Sequence, residues 1–266
     1  MPFTGSHVAA VLPFVRWRLP ASALVIGSMV PDLPYYLPVP VHGGQTHSLL
    51  GVIGADLQLG LVVFLAWQAF VGPAAVALAP PVVGQRLAIA SSSGALPGIR
   101  ASVAQPGRFV AVVAALLLGS LTHVGWDAFT HADGWVTERV PFLRADLGPL
   151  PVYRWAQYIS GVVGGLIVAA WIVRWWRTPP AADGYGLRPS PGRPARGLGP
   201  VARSAALAVV LVAAAIGGVR GLASGLTNDV DPLRTAAFQA ATGAGRWGAV
   251  ALVGVAAVWA LTGRRR

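Results

Sequence analysis

Long apolar stretches recur along this 266-residue chain and alternate with short polar segments. A helix needs about 20 apolar residues to cross a hydrocarbon core about 30 Å thick. Five stretches approach or exceed this length, and they lie at residues 49–72, 109–126, 158–173, 204–219 and 247–263. Tryptophans lie near several of their ends, where indole rings favour the headgroup layer. The pattern predicts an all-α, multi-pass helical membrane protein with about five transmembrane helices.

The N-terminal segment is harder to place. Two apolar pieces, residues 8–15 and 21–30, are separated by Arg16, Arg18 and Pro20, and neither piece alone is long enough to span. As one straight helix, the segment would hold its two ends about 37 Å apart, on opposite faces of a membrane. If the chain folds back near Pro20, an interfacial helical hairpin brings the two ends together. The sequence leaves both arrangements open, and only the hairpin allows the ends to share a site.

Arginine placement predicts an orientation, because short loops rich in arginine stay in the cytoplasm. Arginine is in excess at residues 73–108, at residues 174–203 and at the C-terminus, whereas most acidic residues lie in the alternate segments. Five spans reproduce this alternation. We therefore expect a bacterial plasma membrane protein in which the segments before the first span and after the second span face outward.

The composition also divides the chain. Residues 178–203 are rich in proline, glycine and arginine, which is typical of a solvated cytoplasmic linker and not of a packed core. This linker would separate a membrane domain at residues 1–177, which contains every histidine, from a two-helix membrane segment at residues 204–266. The second part carries no motif to which chemistry can be assigned.

Two further features narrow the function. The chain has no cysteine, so thiolate metal sites and disulfides are excluded and any metal must be held by histidine and carboxylate. The net charge of +11 does not indicate a nucleic-acid partner, because no soluble basic face with exposed aromatic residues or a reading helix accompanies it. Membrane lipids are the expected partners.

The strongest local pattern lies at the outer end of the second predicted span. His123, Asp127 and His131 stand at positions i, i+4 and i+8, which form one stripe on a helix, so adjacent members can chelate one ion. His47 precedes the first span and would lie at the same interface. A helix end with ordinary interfacial polar residues is the alternative interpretation.

Other polar residues have plainer alternatives. Asp32 follows a proline and could cap a helix, and His7 could be an ordinary helix residue. His42, beside two glycines, is predicted to be a loop residue. Asp56 would lie within hydrocarbon and must face the bundle interior. It could orient a ligating histidine, accept a proton, or hydrogen bond to a neighbouring helix.

Four motifs carry a resemblance: Met-Pro-Phe-Thr-x-Ser-His at 1–7, Gly-Ser-Met-x-Pro-Asp at 27–32, Thr-His-Ser-Leu at 46–49 and Gly-Ser-Leu-Thr-His-x-x-x-Asp-x-x-x-His at 119–131. Their order resembles an uncharacterised bacterial integral membrane family, domain of unknown function 4184. More distantly, it is similar to membrane-bound metal-dependent hydrolases and to zinc-dependent phospholipase C. The distant resemblance implies that one or more zinc ions are held by His7, Asp32, His47, His123, Asp127 and His131.

Two functions follow as expectations. One is a membrane-embedded, metal-dependent hydrolase that acts on a phosphoester or lipid-like substrate at the outer membrane face. Imidazole and carboxylate ligands suit a divalent metal, and zinc in particular. The alternative is a non-catalytic integral membrane protein, in which the same residues bind metal for transport or structure, or form a helix-packing network.

Overall fold

A computed structural model describes residues 4–17, 19–90, 105–178, 198–227 and 231–263. Most of these residues are helical. In chain order the helices are α1 (Val8–Val11), α2 (Ala21–Met29), α3 (Leu33–Tyr36), α4 (Gly43–Thr46), α5 (Leu49–Leu78), α6 (Pro81–Ala90), α7 (Pro106–Thr130), α8 (Trp135–Arg139), α9 (Pro141–Arg144), α10 (Val152–Arg177), α11 (Pro200–Leu226) and α12 (Pro232–Gly263). Short 3₁₀ turns occupy Thr4–His7, Leu12–Trp17 and Val30–Asp32, and a two-residue antiparallel pair joins β1 (Asp146–Leu147) to β2 (Leu150–Pro151).

Five helices in the described part of the chain are long and apolar enough to cross a membrane, namely α5, α7, α10, α11 and α12. This confirms the predicted all-α membrane fold. Each helix is longer than its apolar stretch. Three of them begin at a proline, Pro106, Pro200 or Pro232, because the first helical position tolerates a residue without an N–H group. The helices therefore start in the polar flanks that a search for apolar residues leaves out.

The chain divides into two compact units. The first comprises Met1–Pro34, Val39–Phe64 and Ser102–Ala181, and the second comprises Tyr35–Pro38, Leu65–Ala101 and Ala182–Arg266. Most of the predicted linker, residues 179–197, lies outside the described residues. The division into domains at residues 1–177, 178–203 and 204–266 stays a prediction.

In the first unit, the N-terminal segment folds back on itself. The chain reverses between Trp17 and Ala21, and the Thr4 hydroxyl donates a hydrogen bond of 2.5 Å to Asp32 Oδ2. This contact joins the two ends of the segment and confirms the hairpin. A single spanning helix is excluded, because it would hold the same two ends about 37 Å apart.

The hairpin packs deeply along α7. Its apolar side chains form a core with α5 and α7, built from Val11, Ala23, Leu24, Phe64, Val112, Ala115 and Leu116. Val112 precedes Asp127 by 15 residues, which is about 22 Å along a helix. The ends of the hairpin therefore lie at the polar end of α7, and its apolar side chains extend far along that helix.

Backbone contact between α2 and α7 fixes their register. A Cβ atom on Gly119 would lie 2.6 Å from the Leu24 oxygen and from the Ser28 nitrogen, and one on Gly27 would collide with the Leu116 backbone. The Ser120 hydroxyl donates a hydrogen bond of 3.1 Å to the Gly27 oxygen. Small residues let two helices approach this closely. The contact places the C-terminal end of α2 beside the last turns of α7.

The second unit contains α11 and α12, which pack closely against each other. Gly217, Gly221 and Gly225 follow at intervals of four residues on one face of α11, and a Cβ on any of them would meet the α12 backbone. This spacing is the small-residue pattern of tightly packed membrane helices. Neither α11 nor α12 contains a histidine. Helix packing therefore accounts for the glycine spacing on α11.

We expect Gly119→Ala to destabilise the protein by about 1–3 kcal/mol, because its methyl group must push two backbones apart. Gly125→Ala is the matched control, since it lies on the same helix and its Cβ would meet nothing within 4 Å. Thermal unfolding in detergent should show a lower Tm for Gly119→Ala and an unchanged or slightly higher Tm for Gly125→Ala. Equal Tm values in the two variants would contradict the close contact.

Candidate metal centre

All six sequence-predicted residues meet in the first unit. Two lie in 3₁₀ turns, at the ends of the N-terminal hairpin, and one follows α4 directly before the first spanning helix. The other three lie on the last turns of α7 or immediately after it. In chain order these residues are His7, Asp32, His47, His123, Asp127 and His131.

Four of the residues form a tight group. Asp127 Oδ2 lies 3.3 Å from His47 Nε2 and 3.3 Å from His123 Nε2. Asp32 Oδ1 lies 3.4 Å from His47 Nε2 and 3.6 Å from His123 Nε2. One ligand atom from each residue lies within 4.8 Å of the others. We call Asp32, His47, His123 and Asp127 the four-ligand group.

The other carboxylate oxygen of Asp127 faces the remaining two histidines. Asp127 Oδ1 lies 3.5 Å from His7 Nε2 and 3.4 Å from His131 Nδ1. The His7 ring also stacks on the His123 ring, with centroids 3.8 Å apart and planes inclined by 16°. Asp127 thus stands between two sets of imidazoles and presents a different oxygen to each set.

Backbone carbonyls orient two of the imidazoles. His123 Nδ1 lies 2.7 Å from the Ser28 oxygen, and His47 Nδ1 lies 2.9 Å from the Gly43 oxygen. Because a carbonyl can only accept, each Nδ1 carries a proton, and each Nε2 presents a lone pair to the group whenever its ring is neutral. Ligating histidines in metalloproteins are held in this way by an acceptor behind the ring.

The centre is buried, and several of its polar atoms lack a hydrogen bond. Among the described residues, no hydrogen-bond partner is found for His7 Nε2, Asp32 Oδ1, His123 Nε2 or Asp127 Oδ1. Buried polar atoms are normally hydrogen-bonded, because losing water without replacement is costly. Four such atoms at one place could hold a metal ion.

The spacing of these atoms fits a divalent ion. Two ligand atoms that each lie about 2.0–2.2 Å from a tetrahedral zinc ion are themselves about 3.3–3.6 Å apart. The four nitrogen–oxygen separations within the four-ligand group lie between 3.3 and 3.6 Å. Hydrogen bonds between nitrogen and oxygen are usually shorter, near 2.9 Å. The donor set and these four separations are therefore compatible with a metal ion, and they are also those of a network of imidazole–carboxylate ion pairs.

The pKa values of His7 and His47, which lie outside the spanning helices, are shifted in opposite directions. Burial, together with neighbouring His123, lowers the pKa of His7 to about 4, so this ring is neutral and able to ligate. Burial also opposes a charge on His47, but Asp127 and Asp32 raise its pKa to about 9. Burial works against the Asp32 carboxylate as well, yet the adjacent imidazoles hold its pKa well below the usual range. Without an ion, a proton on His47 offsets the buried carboxylates.

The sixth residue, His131, has a partner on α10. Its Nε2 lies 3.0 Å from Gln157 Nε2, and the Gln157 side chain is buried. Sequence reasoning missed Gln157, because nothing in the α10 sequence links it to a site more than 20 residues away. It also missed Thr4, although Thr4 stands in the same N-terminal motif as His7 and holds Asp32.

Three other polar residues lie apart from the centre or take no ligand position. His42 is exposed and precedes α4, where its N–H group donates to the Gln45 side chain, as expected of a loop residue. The Arg139 guanidinium donates to the Trp135 oxygen and stacks on that ring. Asp56 is 1% exposed, which confirms that it faces the interior. The expected hydrogen bond to a neighbouring helix is not found for either of its oxygens within the described ranges.

Comparisons with known proteins point to a single family. No curated protein and no solved structure matches the chain. A family model described as a domain of unknown function (DUF4184) matches residues 1–258, which include all six residues of the centre. The match confirms the resemblance carried by the four sequence motifs. The chain therefore belongs to the DUF4184 family, whose model covers nearly its whole length.

Proposed function

We propose that this protein is a membrane-embedded, metal-dependent hydrolase that cleaves a phosphoester, with a lipid headgroup as the leading substrate class. One observation carries the proposal: ligand-type nitrogen and oxygen atoms of Asp32, His47, His123 and Asp127 converge within 4.8 Å of one another, and several buried polar atoms of the centre lack a hydrogen bond. Imidazole and carboxylate ligands favour zinc, with manganese or iron as the nearest alternatives.

The reaction needs only water as a second substrate. The water oxygen forms a new bond to phosphorus, the bond from phosphorus to the leaving oxygen breaks, and a water proton ends on that leaving oxygen. A bound zinc ion supplies a Lewis acid and a nucleophile from water at neutral pH. The protein holds the ligands rigidly: the carbonyls of Ser28 and Gly43 fix two imidazoles, and the Thr4 hydroxyl fixes Asp32.

Exposure indicates how a substrate reaches the centre. The side chains of His47 and His131 are 20% and 24% exposed, whereas those of His7, His123 and Asp32 are at most 3% exposed. His47 and His131 therefore form the accessible rim, and the other residues form the floor. Both rim residues flank membrane-spanning helices at their ends. A substrate at the membrane surface meets this rim first.

The arginine distribution supports an outward orientation of this rim in a bacterial plasma membrane. The segments that precede α7 and follow α10 are rich in arginine, which favours the cytoplasm. The centre lies at the opposite end of α7. On this orientation the substrate is in the outer leaflet or is a soluble phosphoester outside the cell.

A helix-packing network is the competing function for the same residues. Its specific support is the charge arrangement around His47, whose raised pKa allows it to pair with Asp32 and Asp127 without any metal. This network would hold the hairpin to α7 and would need no substrate. It differs from the hydrolase in one measurable respect, because it retains no metal.

We expect the detergent-purified protein to retain at least one zinc or manganese ion per chain. His47→Ala and His123→Ala should each reduce the retained metal at least ~10-fold, because each removes a ligating imidazole that no neighbouring side chain replaces. His42→Ala is the matched control and should retain the metal of the wild type. Elemental analysis of equally monodisperse preparations measures the metal retained by the wild type and by each variant. Metal-free wild type after reconstitution with excess ion would contradict the proposal and favour the packing network.

The activity has its own test. We expect the metal-loaded wild type to hydrolyse a phospholipid in mixed micelles, with inorganic phosphate or a phosphorylated headgroup measured as product. Asp127→Asn should lower the rate by at least 10²-fold, since it removes the carboxylate shared by both sets of imidazoles. The His42→Ala variant should keep the wild-type rate. Full metal occupancy without turnover on phospholipids or soluble phosphodiesters would rule out the hydrolase and leave a metal-binding protein.

The orientation can be measured because the chain has no natural cysteine. Asp133→Cys and Gln105→Cys place single thiols at exposed positions beyond the two ends of α7. In intact cells, a membrane-impermeant maleimide should label Asp133→Cys and should label Gln105→Cys only after permeabilisation. The reverse pattern would place the centre on the cytoplasmic side.

A further inference from the structure

One face of α10 packs against the elements that carry the centre. Gln157 and Gly164 lie on this face, two helical turns apart. The Gln157 side chain contacts His131 at 3.0 Å. A Cβ on Gly164 would lie 2.8 Å from the oxygen of Ser6, in the 3₁₀ turn that ends at His7. The face is therefore turned towards the end of α7 and towards the first end of the hairpin.

Arg154 lies one turn before Gln157, near the polar end of the same helix. Side chains three residues apart are neighbours on a helix surface. Because Gln157 contacts His131, Arg154 lies beside the accessible rim of the centre. We propose that Arg154 binds the phosphate group of the substrate. This proposal rests on the proposed function and adds the residue that recognises the anionic group.

The Arg154 guanidinium has few protein partners. One terminal nitrogen donates a hydrogen bond of 3.3 Å to the Tyr153 hydroxyl, and the guanidinium carbon lies 5.5 Å from the centroid of the Tyr153 ring. Tyr158, one turn further along α10, is also close. Among the described residues, no carboxylate forms an ion pair with Arg154. A guanidinium has five N–H donors, and the hydrogen bond to Tyr153 uses one of them.

One of the other donors is buried. Arg154 Nε is shielded from water and has no hydrogen-bond partner within the described ranges, although the residue as a whole is only partly buried. Leaving a buried donor without an acceptor is costly, so an acceptor is expected beside it. The contact with Tyr153 also orients the guanidinium before any ligand arrives, which lowers the entropy lost on binding.

A phosphate is an acceptor that suits both this guanidinium and the proposed reaction. A guanidinium is planar and can donate two parallel hydrogen bonds to two oxygens of one phosphate group. Its positive charge is permanent, so it favours an anionic phosphoester over a neutral carboxylic ester. Partial burial of Arg154 strengthens this attraction, because less water screens the charges.

Two other arginines, in the segment between α7 and α10, lack these features. Arg139 and Arg144 are exposed, and Arg139 already donates to the Trp135 oxygen and stacks on that ring. Both carry the same charge as Arg154 and lie on the segment that leads into α10. They are therefore matched controls for the loss of one positive charge near the rim.

Binding of inorganic phosphate tests the proposal without any need for turnover. Calorimetric titration of the as-purified protein should show at least ~10-fold weaker binding to Arg154→Gln than to the wild type, because charge-assisted hydrogen bonds are lost. Arg154→Lys keeps the charge but loses the planar pair of donors, so its affinity should fall between the two. Arg139→Gln and Arg144→Gln should bind phosphate like the wild type. Each variant should retain the wild-type amount of metal.

Hydrolysis kinetics distinguish binding from a structural effect. On a phospholipid in mixed micelles, Arg154→Gln should raise KM at least ~10-fold and change kcat by less, because the lost contact binds the phosphate before the reaction. A structural defect would instead lower kcat, metal content and Tm together. A soluble phosphodiester identifies the source of the phosphate. An equal KM effect on both substrates indicates recognition of the phosphate group alone, and an effect confined to the phospholipid indicates a lipid headgroup.

The outcomes separate this proposal from the proposed function. Equal phosphate affinity in the wild type and Arg154→Gln, or no phosphate binding by the wild type, would overturn the role of Arg154 without affecting the hydrolase. Loss of metal together with phosphate binding in both Arg154→Gln and Arg154→Lys would make Arg154 a structural residue and would also overturn this role. Phosphate binding that depends on Arg154, in a wild type that hydrolyses no phosphoester, would overturn the hydrolase and leave an anion-binding site.

Discussion

Two carboxylates, Asp32 and Asp127, are buried at the end of an apolar helical bundle, and their desolvation must be compensated by neighbouring positive charge. Isolated burial of one carboxylate costs several kcal/mol or more, so the fold is constrained to bring imidazoles to both. The four histidines come from three separate segments, and each reaches the same small volume. The hairpin, the entry to α5 and the last turns of α7 are therefore held at one level of the bundle. Protons on the imidazoles or a bound divalent ion would each meet this requirement.

The backbone positions the side chains with little freedom. Gly27 and Gly119 let α2 and α7 touch, and that contact brings the Ser28 carbonyl within 2.7 Å of His123 Nδ1. A larger residue at either glycine would separate the helices and move the carbonyl away from the ring. Packing in the apolar part of the bundle thus sets the geometry of the polar part. A site made of histidine and aspartate side chains therefore depends on two glycines in the apolar part of the bundle.

The sequence predicts the helices better than it predicts their contacts. Apolar length identifies all five spanning helices, and the spacing of His123, Asp127 and His131 identifies one stripe of the centre, because both are local properties. The position of His7 could not be derived in this way, since it depends on a reversal near Trp17 and on packing against α7. The family motifs supplied that residue instead. Gln157 and the carbonyls of Ser28 and Gly43 had no local signal at all. The glycine spacing at 217, 221 and 225 was readable from the sequence, although it concerns packing and not chemistry.

The N-terminal hairpin depends on helices that follow it in the chain. Its apolar faces and both of its polar ends are completed only by the segments of α5 and α7, which follow it in the chain. Without those segments His7 lacks the Asp127 carboxylate and Asp32 keeps only the Thr4 hydroxyl, and neither apolar piece of the hairpin is long enough to cross a bilayer alone. Burial of the two polar ends of the hairpin therefore depends on the packing of both α5 and α7 against it. Any change that loosens either helix also exposes the two ends of the hairpin to water.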